Sequence, residues 1–188
     1  METPALVIVT GHPASGKTTL ARRLAFDLNL PCLVRDDIKE KLFDTLGWSD
    51  RAWSKKLGSA TYELIYLFAE IQLRAGNSFL LEFNFDSKIV TPRFLEIKQK
   101  YDFYPIQIVL EADDEILLTR FNQRAESGER HPGNVDHTLD SEYRARLAQG
   151  AYQPLDIGES IIRVNTNDFE NVNYRELFRE IQSLISSL

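Results

Sequence analysis

Gly11-His12-Pro13-Ala14-Ser15-Gly16-Lys17-Thr18 fills every fixed position of the pattern G-x-x-x-x-G-K-[ST]. The two glycines allow a tight turn in which successive backbone N–H groups, and the positive end of a following helix, converge on an anion. Lysine at the seventh position neutralises phosphoryl charge, and a hydroxyl at the eighth can sit on a Mg²⁺ that bridges two phosphates. The loop from Gly11 to Thr18, continued by Thr19, therefore reads as a site for the β- and γ-phosphates of a nucleotide. A second group of candidates is Arg35-Asp36-Asp37, where two carboxylates follow a short apolar run. In an open α/β sheet the ligand crevice lies outside the carboxyl ends of the strands, which favours this position for chemistry. Asp37 reads as the N-cap of a helix over Ile38 to Leu46, leaving Asp36 to face inward.

Further positions carry charge or polarity where apolar residues would be expected, or cluster it. Glu82 and Asn84 interrupt an otherwise apolar strand, Ser78 to Phe85. An unpaired buried carboxylate is costly, so Glu82 calls for a cation, Mg²⁺ or a hydrogen-bond donor at the crevice, or a structural arginine partner. Arg120 and Arg124 stand one helical turn apart, ahead of the glycine-bearing segment from Glu126 to Asn134, which contains Arg130 and His131. Three arginines and one histidine within twelve residues suit a flap over phosphates, with the lid drawn at about 126–137.

The elements that must position these groups follow from periodicity. Ala5 to Thr10 is a short apolar, β-branched run and Lys17 to Leu28 is helical, so strand, loop and helix follow without a gap. Asn29-Leu30-Pro31 ends that helix before the strand Cys32 to Val34. Arg51 to Ala75 reads as a long helix whose stripe of Trp53, Leu57, Ala60, Leu64, Leu67 and Ile71 should pack on the sheet. Tyr62 and Tyr66 on it could line an acceptor pocket or belong to the core. A helix beginning at Pro92 and running to 100 precedes a strand, Pro105 to Leu110. Asp113 then caps a helix over Asp114 to Ala125, and Thr138 to Gly150 is a further helix. Ser160 to Val164 is the fifth strand, with the turn Asn165 to Asp168 beyond it, and Val172 to Leu188 is a closing amphipathic helix.

The 188 residues suit one domain with a small lid and need no staples to build a core. Hydrophobic content of 43% and charged content of 27% are ordinary for a globular chain. The longest apolar runs are strand-sized and no signal-peptide pattern opens the chain, so a cytoplasmic protein without a membrane span is expected. Cys32 is the single cysteine, which excludes an intrachain disulfide. His12, His131 and His137 lack zinc-ligand spacing. The net charge of -6, from 28 acidic and 22 basic residues, disfavours a broad nucleic-acid footprint while allowing a local basic pocket.

With these pieces placed, the chain resembles small P-loop kinases of the nucleoside-monophosphate-kinase type, especially the subgroup around polynucleotide kinase, chloramphenicol phosphotransferase and zeta toxin. The resemblance rests on Gly11 to Thr18, the Arg35-Asp36-Asp37 turn, and Arg120 and Arg124 before a lid, and it spans nearly the whole chain. It implies an α/β three-layer fold with a parallel five-stranded sheet in the order 2-3-1-4-5. It implies ATP and Mg²⁺ as cofactors, Asp36 activating the acceptor hydroxyl, Lys39 contacting substrate or phosphate, and Arg124 stabilising the transferring group beside Arg120 or Arg130. Most such proteins place an aspartate at the end of the third strand, where this chain offers Glu82, Asn84 and Asp86. The expected activity is phosphoryl transfer to a small hydroxyl-bearing acceptor. The alternatives are a polynucleotide 5′-hydroxyl kinase and a nucleotide-dependent switch without an acceptor.

Overall fold

The computed structural model describes residues 3–128, 130–135, 139–158 and 160–188. Its centre is β1 (Ala5–Gly11), every residue of which is buried. Around it β2 (Cys32–Val34), β3 (Phe79–Glu82), β4 (Tyr104–Glu111) and β5 (Ser160–Asn165) form one parallel sheet in the order β2-β3-β1-β4-β5. The order that the resemblance implies is the order observed. A strand buried on both faces is apolar at nearly every position, and β1 alternates its two sets between two cores. Leu6 and Ile8 pack with Ile65 and Ala69 of α3 (Arg51–Arg74) and with Phe94 and Ile97 of α4 (Ser87–Lys100). Ala5, Val7 and Val9 pack with Leu20 and Leu24 of α1 (Lys17–Leu28) and with Leu177 and Ile181 of α7 (Tyr174–Ser186). Three layers result, helices on each side of the sheet. None of the described helices is long and apolar enough to cross a membrane.

Three local readings are corrected by the structure. The helix α2 runs over Arg35–Leu46, with Val34 at its N-cap and no side-chain cap, so Asp37 lies inside the first turn. There it accepts a hydrogen bond from Arg22 at 2.7 Å across an exposed pair. Favourable interaction of carboxylates with the helix N-terminus explains why two aspartates are accommodated without either capping it. The helix α4 begins at Ser87, because the Asp86 side chain accepts from Lys88 N at 2.9 Å; Pro92 sits inside the helix on an exposed position, where water can satisfy the Lys88 carbonyl it leaves unbonded. On α3 the buried face is Ser54, Leu57, Gly58, Thr61, Ile65, Tyr66, Ala69 and Leu73, whereas Leu64, Leu67 and Ile71 are 39 to 55% exposed. Both faces of this helix carry apolar residues, and the one turned inward is the one whose small residues allow close approach.

The sixth helical segment, α6 (Asp140–Leu147), follows α5 (Asp114–Glu126) and is shorter than the expected 138–150. Between them Pro132–Asn134 forms one 3₁₀ turn. Glu129 and residues 136–138, which fall in the expected lid and at the expected start of α6, lie outside the described residues. Asp113 precedes α5 as foreseen, but its carboxylate accepts from Asn167 Nδ2 at 3.0 Å instead of capping. The irregular stretch before β5 is pinned by Gln107, fully buried in β4, whose amide donates to Leu155 O and accepts from Leu155 N.

Candidate active site

The loop after β1 turns through three residues of positive φ, Gly11, Ala14 and Gly16, and delivers Lys17 to the first position of α1. At Gly16 (φ 91°) a Cβ would stand 2.4 Å from the Phe169 ring, so both the backbone conformation and the packing require glycine. Lys17 is buried and donates from Nζ to His12 O at 2.8 Å, closing the loop on itself. Burial pushes its ammonium below the usual lysine range, against the opposing influence of Glu82 and Asp36. Ser15 Oγ is buried and has no hydrogen-bond partner among the described residues. An empty hydroxyl donor, a lysine spent on its own loop and a run of backbone N–H groups at a helix start are what a bound phosphate would satisfy.

Two contacts brace this loop from the far side of the lid, and nothing in the local sequence signalled them. Tyr143 of α6 donates to Pro13 O at 2.6 Å. His12 Nε2 meets Gly150 O at 3.3 Å, and its ring lies edge-on to Tyr152. The carbonyl can only accept, so Nε2 carries the proton, and burial holds the imidazole below its ordinary pKa.

Asp36 lies at the start of α2, beyond the carboxyl end of β2, and lines the same cleft as Lys17. It accepts from Arg130 at 2.5 Å and stands 3.6 Å from Arg35. Burial by itself would raise its pKa; Arg130, by charge and hydrogen bond, with Arg35 and Lys17, overcomes that and holds the carboxyl well below the usual range. Glu82, at the end of β3, is 4% exposed and accepts from Thr18 Oγ1 at 3.3 Å. Its pKa is pushed up to about 7 by burial, with Lys17 and Thr18 opposing. Of the three acidic or amide candidates after β3 it alone touches the loop. Asn84 receives Arg35 and Tyr62, and Asp86 caps α4.

The remaining candidates divide. Arg124 lines the cleft, with its guanidinium 5.6 Å from the Phe121 ring, and its charge with that of Arg130 acts on Lys17. Arg120 instead donates to Thr166 O and Asn167 O, tying α5 to the turn after β5. Lys39 is buried between elements, donating to Ser54 Oγ at 2.9 Å and Asn134 Oδ1 at 3.2 Å, with a pKa lowered to about 8 by burial and by Arg35. His131 stacks on Phe43, and Gly133 packs against the same ring. Tyr62 and Tyr66 both line the cleft, Tyr66 also belonging to the core. The cleft as a whole encloses about 1100 Å³, room for a nucleotide and a second small molecule.

With this geometry in view, the AAA domain family model AAA_33 matches residues 6–154. The chain belongs to that family. A crystal structure described as "a putative kinase" from Chloroflexus aurantiacus J-10-fl is 38% identical to this AAA_33 member, with a TM-score of 0.87, covering 97% of this chain and 98% of that one. A shikimate kinase from Bacteroides thetaiotaomicron (17% identity, TM-score 0.55, 97% and 98% covered) has the same fold. So does a gluconokinase from Sinorhizobium meliloti 1021 (12% identity, TM-score 0.52, 100% and 94% covered). No curated protein matches the sequence. The fold is that of the small P-loop kinases, as the phosphate loop and strand order implied.

Proposed function

We propose that this protein transfers the γ-phosphoryl group of ATP to a hydroxyl of a small-molecule acceptor. The observation that carries this reading is Asp36: an ionised carboxylate in the same cleft as the phosphate-loop lysine, at the carboxyl end of the neighbouring strand. An acceptor hydroxyl, a poor nucleophile, must be oriented and must lose its proton, and a carboxylate at this place can do both.

In this reading the loop N–H groups and Lys17 bind the phosphates, and Arg124 faces the transferring group. Asp36 accepts the hydroxyl hydrogen bond. The acceptor oxygen bonds to phosphorus, the bond to the ADP oxygen breaks, and the hydroxyl proton passes to Asp36. Arg130 holds this carboxylate in the described state; when it turns toward phosphate, burial acts on Asp36 with less opposition and its basicity rises. The residues fit a Mg²⁺·nucleotide: the Thr18 hydroxyl and the buried Glu82 carboxyl that accepts from it would hold the ion. No cluster of three or more His, Cys, Asp or Glu among the described residues could hold an ion unaided, as suits a metal shared with phosphates. When bound, the ion would offset charge on the phosphate oxygens. Residues 1–188 act as one unit in this reading, with 126–137 as its lid.

The test is product analysis with γ-labelled ATP across sugars, hydroxy acids, nucleosides and 5′-hydroxyl oligonucleotides. Transfer to a small acceptor is expected, reduced roughly 10²- to 10⁴-fold in Asp36→Asn with ATP affinity near wild type. Inorganic phosphate as the only product would refute the reading, and loss of ATP binding in Asp36→Asn would move that residue to the nucleotide site.

A further inference from the structure

Arg35 is a largely buried cation whose hydrogen bonds to the other described residues are long. A guanidinium offers five N–H donors and cannot deprotonate, so its hydrogen bonds must be found for it. Its side chain is 14% exposed, yet Nη1 reaches Asn84 Oδ1 and Nη2 reaches Gly58 O only at 3.5 Å each. Nε is buried with no hydrogen-bond partner among the described residues. The nearest carboxylate, Asp36, lies at 3.6 Å and gives its short contact to Arg130. Leaving a buried charged group under-bonded is unfavourable.

The surroundings are nevertheless built around it. The guanidinium lies over the Tyr62 ring at 4.9 Å, and the Tyr62 hydroxyl is held by Asn84 O at 2.7 Å. Gly58 stands in the interior of α3, where glycine is a poor helix former; a Cβ there would come within 3.0 Å of Arg35 Nη2. The exposed side chain of Arg146, on α6, lines the same cleft and takes part in no ion pair or hydrogen bond among the described residues. The cleft thus keeps a stacked, planar fork of donors beside the carboxylate that serves the hydroxyl.

We propose that the acceptor carries an anionic group, a carboxylate or a phosphate, bound by Arg35 with Arg146 as its second cation. This rests on the phosphotransferase reading above and narrows it. Because Arg35 and Asp36 are consecutive, anion and reacting hydroxyl must lie within one small molecule, as in a hydroxy acid or a phosphorylated polyol. Planar bidentate recognition of such groups is what arginine does better than lysine.

The probes are sodium phosphate and sodium acetate, balanced with chloride at constant ionic strength. Each is added to the full chain saturated with a non-hydrolysable ATP analogue and Mg²⁺, so that the phosphate loop is already filled. The melting temperature should rise with at least one probe, since a ligand of the folded state stabilises it. A rise with phosphate alone assigns a phosphate ester, and a rise with acetate assigns a carboxylate. Arg35→Met should remove the rise while keeping the shift produced by the analogue, which also reports that the variant is folded. Arg35→Lys should weaken probe affinity roughly tenfold. Should Arg35→Met not fold, Gly58→Ala, which crowds the guanidinium, serves instead and should weaken the probe in the same way. No probe-dependent rise in wild type, or a rise that survives these changes, overturns the proposal. No shift with the analogue itself would instead overturn the phosphotransferase reading.

Discussion

Replacing Glu82 by glutamine should change how stability depends on pH. In the folded chain the carboxyl is lifted from about 4.5 to about 7, chiefly by burial. The unfolded chain releases its proton near the ordinary value, so between these limits the folded state holds a proton that the unfolded state has lost. The stabilisation from this group is therefore complete below about pH 4.5 and declines as pH rises toward 7. At about 1.4 kcal/mol per pH unit the full displacement corresponds to about 3 kcal/mol, and because Glu82 and Lys17 influence each other the expected effect is about 1–3 kcal/mol. His12 works in the opposite direction: burial lowers its pKa, so its contribution grows as pH rises toward the ordinary histidine value and is complete above it. Subtracting wild type from Glu82→Gln cancels this slope, since glutamine leaves His12 in place and does not titrate. The assay is urea unfolding of nucleotide-free protein without divalent ions, followed by the fluorescence of Trp48 and Trp53. From pH 4.5 to 7.5 the variant should gain about 1–3 kcal/mol relative to wild type. Parallel curves would refute the claim that burial lifts the Glu82 carboxyl above its ordinary range.

Lys17→Ala should largely abolish transfer with the fold intact, because the Lys17 Nζ hydrogen bond goes to the loop it closes and not to the core; wild-type turnover would remove the phosphate-loop assignment. Asp37→Asn should leave turnover near wild type and change stability by less than about 1 kcal/mol, since its partner Arg22 and Asp37 itself are more than half exposed; unfolding titration and steady-state kinetics check both. Binding of the ATP analogue with Mg²⁺ should slow hydrogen exchange over Arg130 to Asn134 as Arg130 turns toward phosphate, and unchanged protection would leave the lid reading without support.

The sequence by itself determined those features whose causes are local. A phosphate loop needs glycines, a lysine and a hydroxyl at fixed spacing between a strand and a helix, and Lys17–Leu28 begins and ends where its residues say. Parallel strands covered on both faces must be apolar throughout, so β1, β3 and β4 were legible as runs. Only the tertiary structure decided which polar groups meet. Asp36 and Arg130 are 94 residues apart, as are Glu40 and Asn134, and Lys39 meets Asn134 from 95 away. Arg120 was expected beside Arg124 at the phosphates, yet its guanidinium goes to the carbonyls after β5. Periodicity likewise could not choose the buried face of α3, because apolar residues stand on both of its faces. Local patterning sets what each element is; the pairing of charges across the cleft depends on where the sheet order carries them.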